Sequence, residues 1–342
     1  MAPCEYAQEE EHFMYQPESY AMALIFMICT MLCWGSWANT VKLAPGYRFQ
    51  LFYWDYVIGL LVGALLLGVT LGSTGGKGIP FLSDLLHPDR SHILLALAGG
   101  AVFNIANLLL VAAIDIAGLA VAFPIGIGLA LVVGASSTYL IAPKGNPVLL
   151  FGGIVLVVGA IVCDAIAYYL REKEKQALSR RGVVISLISG LLMGSFYPLV
   201  SKSMTGAGAP GPYATSLFFV LGVAICSVPL NLLLMSKPLD GRQPVSMNGY
   251  RSAKLSWHGW GVLGGVIWCT GATLNFVASR TSMVGPAVSY SIGQGATLVS
   301  ACWGVFVWRE FTAAPARANA FLKGMFVLFV LGLTSVALAP LY

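Results

Sequence analysis

Ten long apolar stretches dominate this sequence, and they constrain its fold more than any other feature. They run over about 20–43, 51–72, 92–113, 117–141, 147–170, 182–204, 213–235, 257–279, 284–308 and 319–341. A helix needs roughly 20 apolar residues to cross the hydrocarbon of a bilayer. Backbone polar groups in lipid must be satisfied internally, so stretches of this length are read as helices. The expected fold class is therefore an all-α membrane protein with ten transmembrane helices. The ends carry turn residues: Pro45-Gly46, Pro88, Pro143, Pro147, Pro210 to Pro212, Pro238 and Pro315. The loops are short, the connection near Ile114 to Ile116 almost vanishes, and no soluble domain fits between the spans. Charged residues make up 10% of the chain, against about 25% in soluble domains.

The cationic residues set the orientation. Fourteen of the nineteen Lys and Arg residues fall in the odd-numbered loops, with Arg171, Lys173, Lys175, Arg180 and Arg181 in the central one. Such loops stay cytoplasmic, so both termini are expected outside a cell membrane. The formal charge of +5 is spread among the loops. It offers no basic run for nucleic acid. Residues 1–19 carry Glu5, Glu9, Glu10, Glu11 and Glu18 but no Lys or Arg, so no signal peptide is expected there. Six cysteines lie in apolar runs and read as small buried hydrophobes. Cys29 and Cys33 share a helix face, but no second ligand pair follows, so neither a metal nor a cofactor is expected.

The two halves resemble each other. Gly126-Ile127-Gly128 is matched by Gly293-Gln294-Gly295, and Gly118 by Gly285. Gly99-Gly100 is matched by Gly264-Gly265, and Gly35-Ser36-Trp37 by Gly194-Ser195-Phe196, in the same order. Each half holds five segments, so the second half enters from the opposite side. This gives a five-plus-five inverted repeat, as in many secondary transporters. The expected organisation is an acidic N-terminus (1–19), a first repeat (20–170), a basic cytoplasmic linker (171–181) and a second repeat (182–342). The glycine stripes of the fourth and ninth segments allow close helix packing, with or without lining a cavity.

Several short motifs carry a family likeness. They are Trp34-Gly35-Ser36-Trp37, Tyr53-Trp54-Asp55-Tyr56, Gly99-Gly100 through Asn107-Leu108, Gly118-Leu119 and the Gly126, Gly128 and Gly134 ladder. On these the chain resembles the drug/metabolite transporter superfamily, and within it the ureide permeases and the related glucose/ribose and rhamnose porters. The resemblance is best over residues 20–170. It implies ten helices, uptake of small polar metabolites and proton coupling. Plant ureide permeases carry a long central loop where this chain has the short basic turn 171–181. The chain therefore looks like a compact bacterial-type member, which leaves allantoin open as its solute.

Polar side chains at membrane depth are costly and mark candidate sites. Trp34, Ser36, Trp37 and Asn39 cluster in the first segment. The tryptophans suit either a planar solute or an interfacial belt. Asn104 and Asn107 share one face of the third segment, as an interhelical bond or a binding pair. Tyr197, Asn275, Tyr290 and Gln294 supply polar groups from the second half. Asp55 opens the second segment, where it either pairs with Lys42 or couples transport to protons. Asp164 is the other proton-coupling candidate. There is no Walker A run, nucleophile elbow or metal spacing, so the chain is expected not to be an enzyme. The expected function is a secondary active transporter, monomeric or dimeric, that takes up a small polar metabolite (a ureide, purine-breakdown product or sugar) with protons. The alternative on the same fold is an exporter of drugs or metabolites.

Overall fold

A computed structural model describes residues 14–76, 78–171, 179–239 and 241–342. Most of the acidic N-terminus and of the basic linker lies outside the described residues. The helices are α1 (Tyr20–Ser36), α2 (Asn39–Lys42), α3 (Phe49–Val69), α4 (Phe81–Asp84), α5 (Arg90–Ala117), α6 (Leu119–Ile141) and α7 (Pro147–Arg171). There follow α8 (Arg180–Ser203), α9 (Pro212–Ser236), α10 (Met247–Arg251), α11 (Leu255–Arg280), α12 (Pro286–Gly293), α13 (Ala296–Cys302) and α14 (Ala316–Leu338). A π-helix (Trp303–Val307) continues α13. Among the described residues, nine helices are long and apolar enough to cross a membrane, the first running through α1 and α2.

Local sequence explains the ends. Ser19 caps α1 by accepting from the Met22 amide at 3.3 Å, and Ser179 caps α8 by accepting from Gly182 at 3.2 Å. These side chains satisfy amide donors that the first turn leaves free. Asn146 does the same for α7, accepting from Val148 at 2.9 Å and Leu149 at 3.3 Å. Gly118, with φ +80°, is the only residue between α5 and α6, and Gly285, with φ +84°, opens α12. Both positions lie in the left-handed region that glycine enters without a Cβ clash.

The ninth apolar stretch differs from expectation, because it is not one helix. It divides at Gln294 and Gly295, where Gly295 donates to the Ile292 carbonyl at 2.9 Å in a tight turn. Glycine is a poor helix former, and one stands on each side of Gln294. Each makes room for a neighbour: a Cβ on Gly293 would meet Trp34, and one on Gly295 would meet Met31.

Large apolar side chains face outward as well as inward. Leu66, Leu140, Val155 and Ile225 face outward, while Ser186, Ser189, Thr215 and Asn231 are buried. Two of these polar groups bond to neighbouring helices: Ser189 donates to the Ala106 carbonyl at 2.8 Å, and Asn231 to that of Gln50 at 2.8 Å, while Ser186 donates to the Gly182 carbonyl of its own helix at 2.8 Å. The two halves interlock, with α5 packing on α8 and α9, α3 and α1 on α11, and α7 on α14. Glycines permit this approach. Gly59 lies against the Val262 carbonyl and Gly222 against that of Leu97; Gly265 lies against Tyr56 and Gly100 against Phe219. Gly153 and Gly332 meet reciprocally, each with the other's carbonyl where its Cβ would be, at 2.7 and 2.8 Å. Small residues at such crossings let dispersion contacts and backbone polarity stabilise helix pairs.

Candidate functional site

A cavity of about 440 Å³ lies between the halves. It runs from Trp34, Phe196 and Trp268 to the ends of α2 and α5, where Lys42 and Ile114 border its mouth. The mouth is on the face of the odd-numbered loops. The Lys42 side chain there is 46% exposed.

Aromatic rings build one wall. Trp34 stacks on Trp268 with centroids 5.7 Å apart and planes 18° apart, and Phe103 packs on Trp268 at 4.4 Å. The Trp34 indole occupies a slot between two glycines. A Cβ on Gly271 would lie 2.8 Å from its Cδ1, and one on Gly293 would lie 2.8 Å from its Cζ3. The Trp34 Nε1 is buried without a hydrogen-bond partner among the described residues.

Polar groups come from the broken ninth segment. Gln294, Thr297 and Ser300 line the cavity at successive spacings of three residues. Among the described residues their side chains have no hydrogen-bond partner. Gln294 therefore offers a free amide, both donor and acceptor, next to the indole slot. Asn107 completes the polar lining. Its Nδ2 donates to the Tyr53 hydroxyl at 3.3 Å, and Tyr53 donates to Asn104 Oδ1 at 2.7 Å.

Of the ten residues expected to bind solute, Trp34, Trp37, Asn107 and Gln294 line this cavity. The other six do not. Asn104 stands behind the wall, fully buried, accepting from Tyr53 and from Ser227 at 3.0 Å. Ser36 accepts from Trp303 at 2.9 Å and Asn39 from Trp308 at 2.6 Å, tying the first helix to the ninth segment. Tyr197, Asn275 and Tyr290 lie beyond the closed end. Tyr197 donates to Asn275 Oδ1, Asn275 donates to the Ser289 carbonyl at 2.9 Å, and Tyr290 donates to the Ala130 carbonyl at 3.2 Å. Phe196 joins the lining to this group, with ring contacts to Tyr197 at 5.9 Å and Tyr290 at 6.2 Å. Sequence reasoning missed Thr297, Ser300 and Trp268. A polar stripe at i, i+3, i+6 was the available signal for the first two.

The expected pair of Asp55 with Lys42 does not form. Lys42 Nζ turns to Glu310 at 2.6 Å and lies 4.8 Å from the Trp308 ring. Glu310 also accepts from Arg171 at 2.8 Å and from Tyr168 at 3.2 Å. Burial pushes Glu310 up, but the hydrogen bonds and charges of Lys42 and Arg171 outweigh it and hold the carboxyl below its usual range. Asp55 faces α11 instead, where Tyr47, Tyr250 and His258 surround it. Asp164 is buried in α7 with Oδ1 unpartnered among the described residues. Neither aspartate lines the cavity.

Known proteins resemble this chain along nearly its whole length. The ureide permease family matches residues 52–186 and 174–339. Ureide permease 4 of Arabidopsis thaliana is 25% identical over 391 aligned residues, covering 93% of this chain and 96% of that protein. Ureide permease 1 of the same plant is 22% identical, with 93% and 96% covered. A probable ureide permease A3 of Vigna unguiculata is 31% identical over a shorter stretch, 40% of this chain and 38% of that protein. One crystal structure of a protein superposes with a TM-score of 0.61 at 14% identity, covering 92% of this chain and 96% of that one, which is a likeness of fold.

Proposed function

The chain belongs to the ureide permease family, and from that membership we propose that it is a secondary transporter for a small, flat, polar solute of the ureide class. The observation that carries this is Gln294, an amide without a partner among the described residues at the floor of a cavity between the halves, beside the stacked Trp34 and Trp268. A primary amide matches an N–H and C=O edge with two hydrogen bonds, and an indole face suits a planar ring. Among the described residues Lys42, at the mouth and already paired, is the one charged side chain of the lining, which favours an uncharged solute at depth. The test is uptake of labelled allantoin into proteoliposomes, with ribose and glucose as competitors. Saturable allantoin uptake that excess sugar leaves unchanged is expected. Uptake of a sugar but not of the ureide would overturn the substrate class.

The transporter is a ten-span, five-plus-five inverted repeat, with the ninth span made of α12, α13 and the π-helix. Paired features support this: Gly118 with Gly285, Gly59 with Gly222, Gly100 with Gly265, and the reciprocal Gly153 and Gly332 crossing. Two such halves can exchange conformations and move the cavity opening from one face to the other. The odd loops face the cytoplasm and both termini lie outside, so this structure is open to the cytoplasm.

Transport is driven by protons. Asp55 and Asp164 are the buried carboxylates of the spanning helices among the described residues. Asp164 is the freer, since one oxygen has no partner, whereas both oxygens of Asp55 are occupied. An inward-directed proton gradient is expected to stimulate uptake by the parent, and Asp164→Asn to lose that stimulation while retaining solute exchange. A parent indifferent to the gradient removes proton coupling. An Asp164→Asn variant with full stimulation moves the role to Asp55.

A further inference from the structure

Four side chains that the cavity does not use meet on the face to which it opens. Asp55, 2% exposed, sits in the second turn of α3. Tyr47 donates to its Oδ2 at 2.9 Å, and Tyr250 to its Oδ1 at 2.6 Å. His258 Nδ1 lies 2.9 Å from both oxygens. These residues come from four separate elements: the loop before α3, α3 itself, the short helix α10, and the start of α11. Gly261, one turn beyond His258, lets α11 approach, because a Cβ there would collide with that of Asp55. The histidine side chain is 21% exposed, so solvent reaches the cluster at its edge.

The opposite face has a counterpart without an imidazole in direct contact. The short helix α4 follows the second apolar segment as α10 follows the seventh. Its Asp84 accepts from the Gly211 amide at 2.7 Å, at the start of α9, and Arg280 donates to the Pro210 carbonyl at 2.6 Å. Each short helix thus fastens the beginning of a spanning helix from the other half.

We propose that Asp55, Tyr47, Tyr250 and His258 form a proton-binding latch, distinct from the solute cavity, that fastens α10 to α3 more tightly when His258 carries a proton. Neutral His258 contributes one N–H to the carboxylate. The added proton on Nε2 keeps that bond and converts the contact into an ion pair. The other charged groups of the packed elements are accounted for. Arg48 donates to the Gln243 carbonyl at 3.3 Å, and Arg242 pairs with Asp115 at 3.6 Å. Lys254 lies 5.3 Å from the Trp257 ring, which stacks on Tyr47, and Arg251 is exposed on α10. Acidification on this face therefore holds α10 and the loop before α3 in place, and alkalinisation loosens them.

Amide hydrogen exchange on the intact protein in nanodiscs reads the latch without any transported solute, so its outcome is separate from that of the transport reading. The reporters are the amides of Gly249, Ser252 and Ala253, which are bonded inside or beside α10. After correction for intrinsic exchange, they should exchange at least about threefold more slowly at about pH 6 than at about pH 8.5, the range across which histidine changes charge. His258→Gln should abolish that difference, and so should Asp55→Asn, which leaves the imidazolium facing a neutral amide. Tyr250→Phe should speed exchange at both pH values and keep the difference. Peptides from α14 serve as the folding control in every variant. Exchange in the parent that does not respond to pH, or a His258→Gln variant that responds like the parent, overturns the latch.

Discussion

Replacing Gln294 by leucine separates binding from folding more cleanly than any other change at the cavity. The side chain is 9% exposed and lines the cavity, with no partner among the described residues. Its replacement therefore strands no protein donor or acceptor, and leucine has nearly the same length and volume. The melting midpoint of the purified protein should stay within about 2 °C of the parent's. The solute loses up to two neutral hydrogen bonds, each contributing about 0.5–1.5 kcal/mol net. The expected loss is about 1–3 kcal/mol, or roughly 5- to 150-fold in Kd. Asn104→Leu gives the opposite pattern, because Asn104 accepts from both Tyr53 and Ser227. Removing it leaves the buried Tyr53 hydroxyl without its acceptor, while Ser227 keeps the Val223 carbonyl at 2.8 Å, at a cost of about 1–2 kcal/mol in stability, with binding changed only through Asn107. The assay is half-saturation of allantoin uptake in proteoliposomes, beside thermal unfolding of the same preparations. Parent-like half-saturation in Gln294→Leu, or a melting point depressed as far as that of Asn104→Leu, would refute the assignment.

Other outcomes follow from the same geometry. Gly265→Ala, which drives a Cβ into the Tyr56 carbonyl, should destabilise by about 1–3 kcal/mol in a thermal unfolding assay, while Gly128→Ala, with nothing near its Cβ, should be silent. Glu310 is held below its unfolded value by Lys42 and Arg171 despite burial, so its stabilising contribution is complete above the unfolded value of 4.5 and is lost as pH falls through the lower folded value. Glu310→Gln should remove that acid-side dependence of the melting midpoint, and an unchanged pH profile would show the triad to be inert. Impermeant thiol reagents should label Tyr342→Cys from outside intact cells, and labelling only after permeabilisation would invert the orientation.

The helices were legible because most of the apolar runs are closed by proline or glycine and the fifth by the charges from Arg171 on, and the left-handed starts at Gly118 and Gly285 follow from residues visible in both halves. The break at Gln294 was not, since Gly293-Gln294-Gly295 reads equally as a packing stripe until Trp34 and Met31 are seen filling the two gaps. Asn104 and Asn107 are indistinguishable by spacing. Which of them faces the cavity depends on Ser227, more than a hundred residues away, which claims Asn104. The partners of Asp55 were not legible for a similar reason: Lys42 is near in sequence, but Glu310 takes it, and His258 reaches Asp55 from more than two hundred residues away.

The slot that holds Trp34 has a practical consequence for anyone selecting variants with altered solute range. Positions 271 and 293 are closed to mutagenesis, because even a methyl group there presses on the indole. Diversity at those codons would return misassembled protein rather than new preferences. Positions 297 and 300 are the productive ones, since their hydroxyls face empty volume and are tied to no other described group. A library confined to residues 294, 297 and 300 would vary the recognised edge of the solute while leaving the aromatic wall intact.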